Sequence, residues 1–77
     1  MTNLIDLIET NQKIKIDHEN ISAIEIKEET IVGIYYTAVV YLRNEKFRRY
    51  ALPIEYSKQD AIITLRKYLK EVYKIKI

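Results

Sequence analysis

The chain has 77 residues, with one Gly, one Pro, no Cys and no Trp, and its 13 Lys plus Arg against 11 Asp plus Glu leave a net charge of +2. A single small domain spanning 1–77 is expected, burying about 60% of the surface its unfolded chain exposes; a large catalytic fold, a two-lobed hinge or a dinucleotide-binding βαβ pair does not fit. A hydrophobic content of 48% excludes a disordered tail, and the missing cysteines exclude disulfide staples and favour an intracellular setting.

In chain order, a first helix is predicted from about Asn3 to Glu9. Thr2 or Asn3 caps it, Asp6 sits where the helix dipole favours an acid, and Leu4, Ile5, Leu7 and Ile8 supply an apolar side. Residues 13–16 alternate Lys-Ile-Lys-Ile, the pattern of a brief edge strand or extended arm, and Asp17-His18-Glu19-Asn20 reads as a turn. Residues 21–27 form the first full strand, with Ile24 and Ile26 on one face, and Glu28-Glu29-Thr30 is the expected reversal. Residues 31–42, rich in Val, Ile, Tyr and Thr, carry the strongest strand signal, with Gly33 marking a bulge or close packing inside it. Arg43-Asn44-Glu45-Lys46 is the hairpin turn, and 47–55 is the third long strand. Pro53 has no amide donor, which puts that end at an edge or beyond the ladder.

The last element has a clear start. Ser57 stands three residues before Asp60, a capping arrangement. Ala61, Ile62, Leu65, Tyr68, Leu69 and Val72 then recur at helical spacing with Tyr73 beside them, and Arg66, Lys67, Lys70 and Lys74 occupy the other side. The fold class is α+β: a three-stranded antiparallel sheet, with or without a fourth short strand near residue 14, and a short N-terminal and a longer C-terminal helix on one face.

If Asn44-Glu45 is the turn, Leu42 opposes Phe47 and the hairpin has two distinct faces. Ile34, Tyr36, Ala38, Val40, Leu42, Phe47, Arg49, Ala51 and Pro53 share the face expected to meet the helices. Tyr35, Thr37, Val39, Tyr41, Arg43, Arg48, Tyr50, Leu52 and Ile54 share the other. A solvated sheet face alternates Lys, Glu, Thr and Ser, whereas this one combines tyrosines, aliphatics and arginines. It suits a stacking platform for bases, a protein interface, or a surface on which tyrosine bodies shield the sheet and stack with arginines. Tyr35, Tyr41, Tyr50, Leu52 and Ile54 are its interface or stacking candidates.

The near-neutral total hides an asymmetry. Residues 1–42 hold three lysines against seven carboxylates, and residues 43–77 hold ten bases against four, so the halves carry −4 and +6. An uneven charge of this kind favours an oriented partner. The nucleic-acid-binding candidates are Arg43, Lys46, Arg48, Arg49, Lys58, Arg66, Lys67, Lys70 and Lys74, which could lie along phosphates.

This layout resembles the double-stranded-RNA-binding domain, over residues 3–73. LIDLIETN (4–11) is similar to that family's first helix, with Asp6 and Glu9 in the places of its acid and polar residue. YTAVVYLRNEKFRRYAL (36–52) resembles its central hairpin, and SKQDAIITLRKYL (57–69) the start of its last helix, where Lys58 and Ala61 match. The family's lysine cluster is here Lys58 followed by Gln59 and Asp60, and its groove-entering loop is here Glu28-Glu29-Thr30. The resemblance therefore implies the fold more than RNA binding. A three-stranded sheet with a C-terminal helix also resembles the arm-binding domain of phage-type integrases; that likeness implies that Tyr35, Tyr41, Arg43, Arg48 and Tyr50 face a DNA major groove.

Catalysis is not expected. With one His, no Cys and two Ser, the one available Ser-His-acid set is Ser22, His18 and a neighbour, and no glycine loop supplies an oxyanion hole. Asp17-His18-Glu19 point in different directions and read as a surface turn rather than a metal site. No stretch reaches the roughly 20 apolar residues of a membrane span, and the acidic N-terminus does not read as a signal peptide. The Ile, Lys and Tyr usage fits a thermophile or an AT-rich viral or mobile-element genome; a cytoplasmic location is expected, in the host if viral. The leading reading is a small non-enzymatic nucleic-acid-binding protein, duplex or single-stranded, regulatory in character, that uses its basic C-terminal half. The rival is a protein-interaction module or inhibitor using the tyrosine face. A homodimer is expected because a second copy adds buried core; no cofactor, metal or small-molecule substrate is implied.

Overall fold

A computed structural model describes residues 4–43 and 48–75. Its elements run in the order of a 3-10 turn (Leu4–Leu7), β1 (Ile14–Lys15), β2 (Ile21–Thr30), β3 (Ile34–Leu42), β4 (Arg49–Ala51) and α1 (Lys58–Tyr73). The four strands form one antiparallel sheet in the order β1-β2-β3-β4. The architecture is thus α+β, with the Lys-Ile-Lys-Ile segment supplying the short fourth strand at one edge. The N-terminal helix is the correction here: a single 3-10 turn stands where 3–9 was expected to be helical, because so short a segment has little to offset the cost of nucleation.

α1 starts as its sequence dictates. The Ser57 hydroxyl accepts the Asp60 N–H at 3.1 Å, and Ala61, Leu65 and Leu69 are fully buried. At the C-cap, Lys74 adopts a left-handed φ of 58° and its N–H reaches the Leu69 carbonyl. Val72, expected on the apolar side, is instead 53% exposed. The core gathers Ile5, Ile8, Ile21, Ile24, Ile26, Ala38, Val40 and Leu52 against these helix residues. The 3-10 turn packs into the same layer, where Asp6 approaches Arg66 at 3.8 Å. Both partners of that pair are well exposed, so it contributes about 1 kcal/mol or less.

Two boundaries differ from the sequence reading. β2 runs through Glu28-Glu29-Thr30, and the reversal lies at residues 31–33. Gly33 takes φ +91° there with nothing within 4 Å of where a Cβ would be, so its role is backbone conformation and not packing. The β3–β4 register is also one residue away from expectation. The pairs are Val39 with Ala51, Val40 with Tyr50 and Tyr41 with Arg49, and the Leu42 N–H bonds the Arg48 carbonyl at 3.1 Å. Residues 43–48 lie between β3 and β4, against the four expected. Phe47 and the proposed turn residues Asn44, Glu45 and Lys46 lie outside the described residues.

A one-residue slip turns every β4 side chain over. Tyr50 and Leu52 therefore lie on the helix side, where Leu52 is 6% exposed in the core and Tyr50 stacks on Tyr68 with ring centroids 5.3 Å apart. Arg49 and Ala51, expected against the helices, take the opposite face. β4 is also shorter than its predicted 47–55: the Leu52 N–H still bonds the Ala38 carbonyl at 2.8 Å, pairing lapses at Pro53 and Ile54, and it resumes in the bridge between Tyr36 and Glu55.

Candidate nucleic-acid interface

The sheet face opposite α1 is assembled by alternation. In β2 and β3 it carries Ala23 opposite Tyr41, Glu25 opposite Val39, Lys27 opposite Thr37 and Glu29 opposite Tyr35. β1 adds Lys15, paired with Ala23, and Lys13 two residues earlier; β4 adds Arg49, paired with Tyr41. Among the described residues no helix or strand covers this face.

Its centre is nonetheless buried: Ala23, Glu25 and Val39 are each less than a tenth exposed. Side chains supply the cover. The Tyr41 hydroxyl donates to Glu25 Oε1 at 2.5 Å, and Lys13 Nζ sits 4.2 Å from the centre of the Tyr41 ring. Burial first, then the Glu25 carboxylate, raise the Tyr41 hydroxyl pKa above its ordinary value, and Arg49 pulls it the other way. A buried carboxylate with a phenol and two cations around it is a polar centre, whereas obligate protein interfaces place apolar groups there.

Beside this cluster, at the end of the sheet away from the 31–33 turn, Lys13, Lys15 and Arg43 border an open concavity of about 670 Å³, together with Asp17, Ser22 and Ala23. Arg43 is held in place by the chain itself. Its Nε donates to the His18 carbonyl at 2.7 Å, and Nη2 to the carbonyls of Ile16 and Ile21 at 3.0 and 3.3 Å. These acceptors are neutral, so the guanidinium keeps its charge while losing its freedom. Arg43 thus closes the 16–21 turn and presents a preorganised cation to the concavity.

The sequence-derived candidates divide between two faces. Arg49, Tyr35 and Tyr41 share the open sheet face, Arg43 borders its concavity, and Arg48 is exposed just before β4. Arg66, Lys67, Lys70 and Lys74 come together on the outer side of α1, lining a second concavity of about 620 Å³ with Ile63 and Glu71. Lys58 stands at the first turn of α1, Ile54 is 55% exposed beyond β4, and Lys46 lies outside the described residues. Tyr50 and Leu52 are drawn to the helix side.

Lys13 and Lys15 were not among the candidates, although their alternation with Ile14 and Ile16 already placed both on one face. Ile14 and Ile16 pack against the core, which turns the lysines outward. The His18 ring accepts the Asn20 N–H on Nδ1 and meets Tyr73 edge-on, in keeping with a turn. Among the described residues no three His, Cys, Asp or Glu side chains gather to hold a metal, and no helix is long and apolar enough to cross a membrane. No protein-family model, curated protein or solved structure matches the chain.

Proposed function

We propose that this protein binds single-stranded nucleic acid, without catalysis, on the sheet face opposite α1. The observation that carries this reading is the convergence of Lys13, Lys15 and Arg43 on one concavity beside Tyr41 and Arg49. Cations bordering an aromatic ring suit a ligand that alternates phosphates with flat bases. The Lys13–Tyr41 contact does not obstruct this. At an exposed position it is worth about 0.5–1 kcal/mol, whereas a base stacked on a tyrosine contributes about 1–3 kcal/mol. A strand can therefore displace Lys13 from the ring and receive its ammonium on a phosphate. The rival reading, a protein interface on this face, is weaker because Tyr50 and Leu52 pack on the helix side and Glu25 occupies the centre.

Labelled single-stranded DNA, duplex DNA and duplex RNA, titrated at low and near-physiological salt, test the proposal. Binding to the single strand that weakens with salt is expected, and Lys13→Gln/Lys15→Gln should lower the salt slope by roughly one for each phosphate contact removed. Tyr41→Phe should keep stacking, and Tyr41→Leu should lose it. Absence of binding, or binding unaffected by the lysine pair, refutes the sheet face as the site. A duplex preference lost in Lys67→Glu/Lys70→Glu would instead assign binding to α1.

A further inference from the structure

β2 and β3 meet at the 31–33 turn, and α1 begins near that end, where Glu55 bridges Tyr36 and its carboxylate accepts the Thr64 hydroxyl at 3.1 Å. The helix then runs away from the turn until Tyr73 meets His18 in the β1–β2 loop. The turn end carries Glu28 and Glu29 and an unusual tip, with Ile31 76% and Val32 95% exposed. Turns ordinarily use Gly, Asn, Asp, Pro or Ser; two bare β-branched residues there expose apolar surface without helping the turn.

The outer side of α1 has the complementary character. Ile63, 53% exposed, lies among Arg66, Lys67, Lys70 and Lys74, and the aliphatic stems of these residues help wall the 620 Å³ concavity, in which Glu71 is the lone carboxylate. We propose that the Ile31–Val32 tip of one copy docks on this stripe of a second copy, with Glu28 and Glu29, one on each face of β2, meeting the basic rim on either side of the tip; the Tyr36 hydroxyl, which donates to Glu28 Oε1 at 3.0 Å, holds the first of them. Two tips meeting each other would bring four carboxylates together, whereas tip on stripe pairs opposite charges. Tip and stripe are different surfaces of the same chain, and the docking proposed is head-to-tail, one tip on one stripe without reciprocation: each added copy leaves one tip and one stripe free, and association extends into open chains or closes as a ring. Apart from Glu29, at the turn end of the open sheet face, neither surface shares a residue with the sheet-face site at Lys13, Lys15, Tyr41, Arg43 and Arg49, so this inference does not rest on nucleic-acid binding.

Sedimentation velocity of the full chain over rising concentration, without nucleic acid, tests it. The expected result is progressive growth past the dimer that weakens with salt. Ile31→Ser/Val32→Ser should weaken association by about a hundredfold, because two aliphatic side chains are no longer buried in the contact. Lys67→Glu/Lys70→Glu should weaken it as well. All four positions are exposed, and far-UV circular dichroism checks that both variants fold. The two variants mixed in equal amounts should form dimers that stop at two copies, since one intact tip meets one intact stripe. A wild-type chain that stays monomeric, a dimer that never grows, or a mixture that stays monomeric overturns the proposal.

Discussion

Leu52→Ala tests the register on which the sheet-face site depends. With Val40 opposite Tyr50, Leu52 enters the core and is 6% exposed; one residue out of register, it would lie on the open face. Truncating a buried leucine costs about 2–5 kcal/mol. The lower part of that range applies, because Leu52 follows a three-residue edge strand that can relax into the space. About 2–3 kcal/mol is therefore expected. A domain of this length has a total stability of roughly 4–12 kcal/mol, so the variant should lose a large share of it. Urea unfolding followed by far-UV circular dichroism should show a lower midpoint with an unchanged m-value. Ala51→Ser, on the exposed open face, should shift the midpoint by no more than about 0.5 kcal/mol. A Leu52→Ala cost below about 0.5 kcal/mol, with Ala51→Ser costing several times more, would refute the register. Arg49 would then leave the open face and Tyr50 would take its place.

Three further outcomes follow from the backbone and the tyrosines. Lys74→Gly should stabilise the protein by about 0.5–1 kcal/mol in the same urea assay, because the C-cap holds a left-handed φ of 58° that glycine adopts without a Cβ penalty. Asn11 combines φ 65° with a side-chain oxygen that accepts the Glu28 N–H at 3.0 Å; Asn11→Ala should cost about 1–2 kcal/mol, and Asn11→Gly less. Burial, followed by hydrogen bonding with Tyr73, pushes the Tyr68 hydroxyl up to about 12 from 10.0. A folded-state pKa above the unfolded one means that the native state holds the proton more tightly, so this contribution is complete below pH 10 and is lost as the pH rises toward 12. Alkaline unfolding curves should show that loss in the wild type and a reduced loss in Tyr68→Phe.

Much of this architecture is legible in local sequence. Ser57, Asp60 and the spacing of Ala61, Leu65 and Leu69 define α1 because a helix satisfies its backbone within a few residues, and caps and periodicity are short-range signals. The β-branched runs of β2 and β3 and the Lys-Ile-Lys-Ile alternation of β1 are equally local. The reversal before β3 was less accessible. Glu28-Glu29-Thr30 has turn-like polarity, but the residue that makes the turn is Gly33, whose φ of +91° appears only in the folded backbone.

The candidate site divides along the same line. Its cations and tyrosines can be counted in the sequence, as can the −4 and +6 of the two halves. Which of them meet was decided by tertiary structure. β4 pairs one residue out from the simplest hairpin, and since side chains alternate with period two, that step exchanges Tyr50 and Leu52 for Arg49 and Ala51 on the open face. Lys13 and Lys15 join Arg43 through pairing with β2 and a turn closed by three hydrogen bonds from the guanidinium. Composition, helix caps and strand character arise from neighbours along the chain. Register and the two separated basic surfaces arise from contacts between residues far apart in it, where one residue of loop length outweighs any local preference.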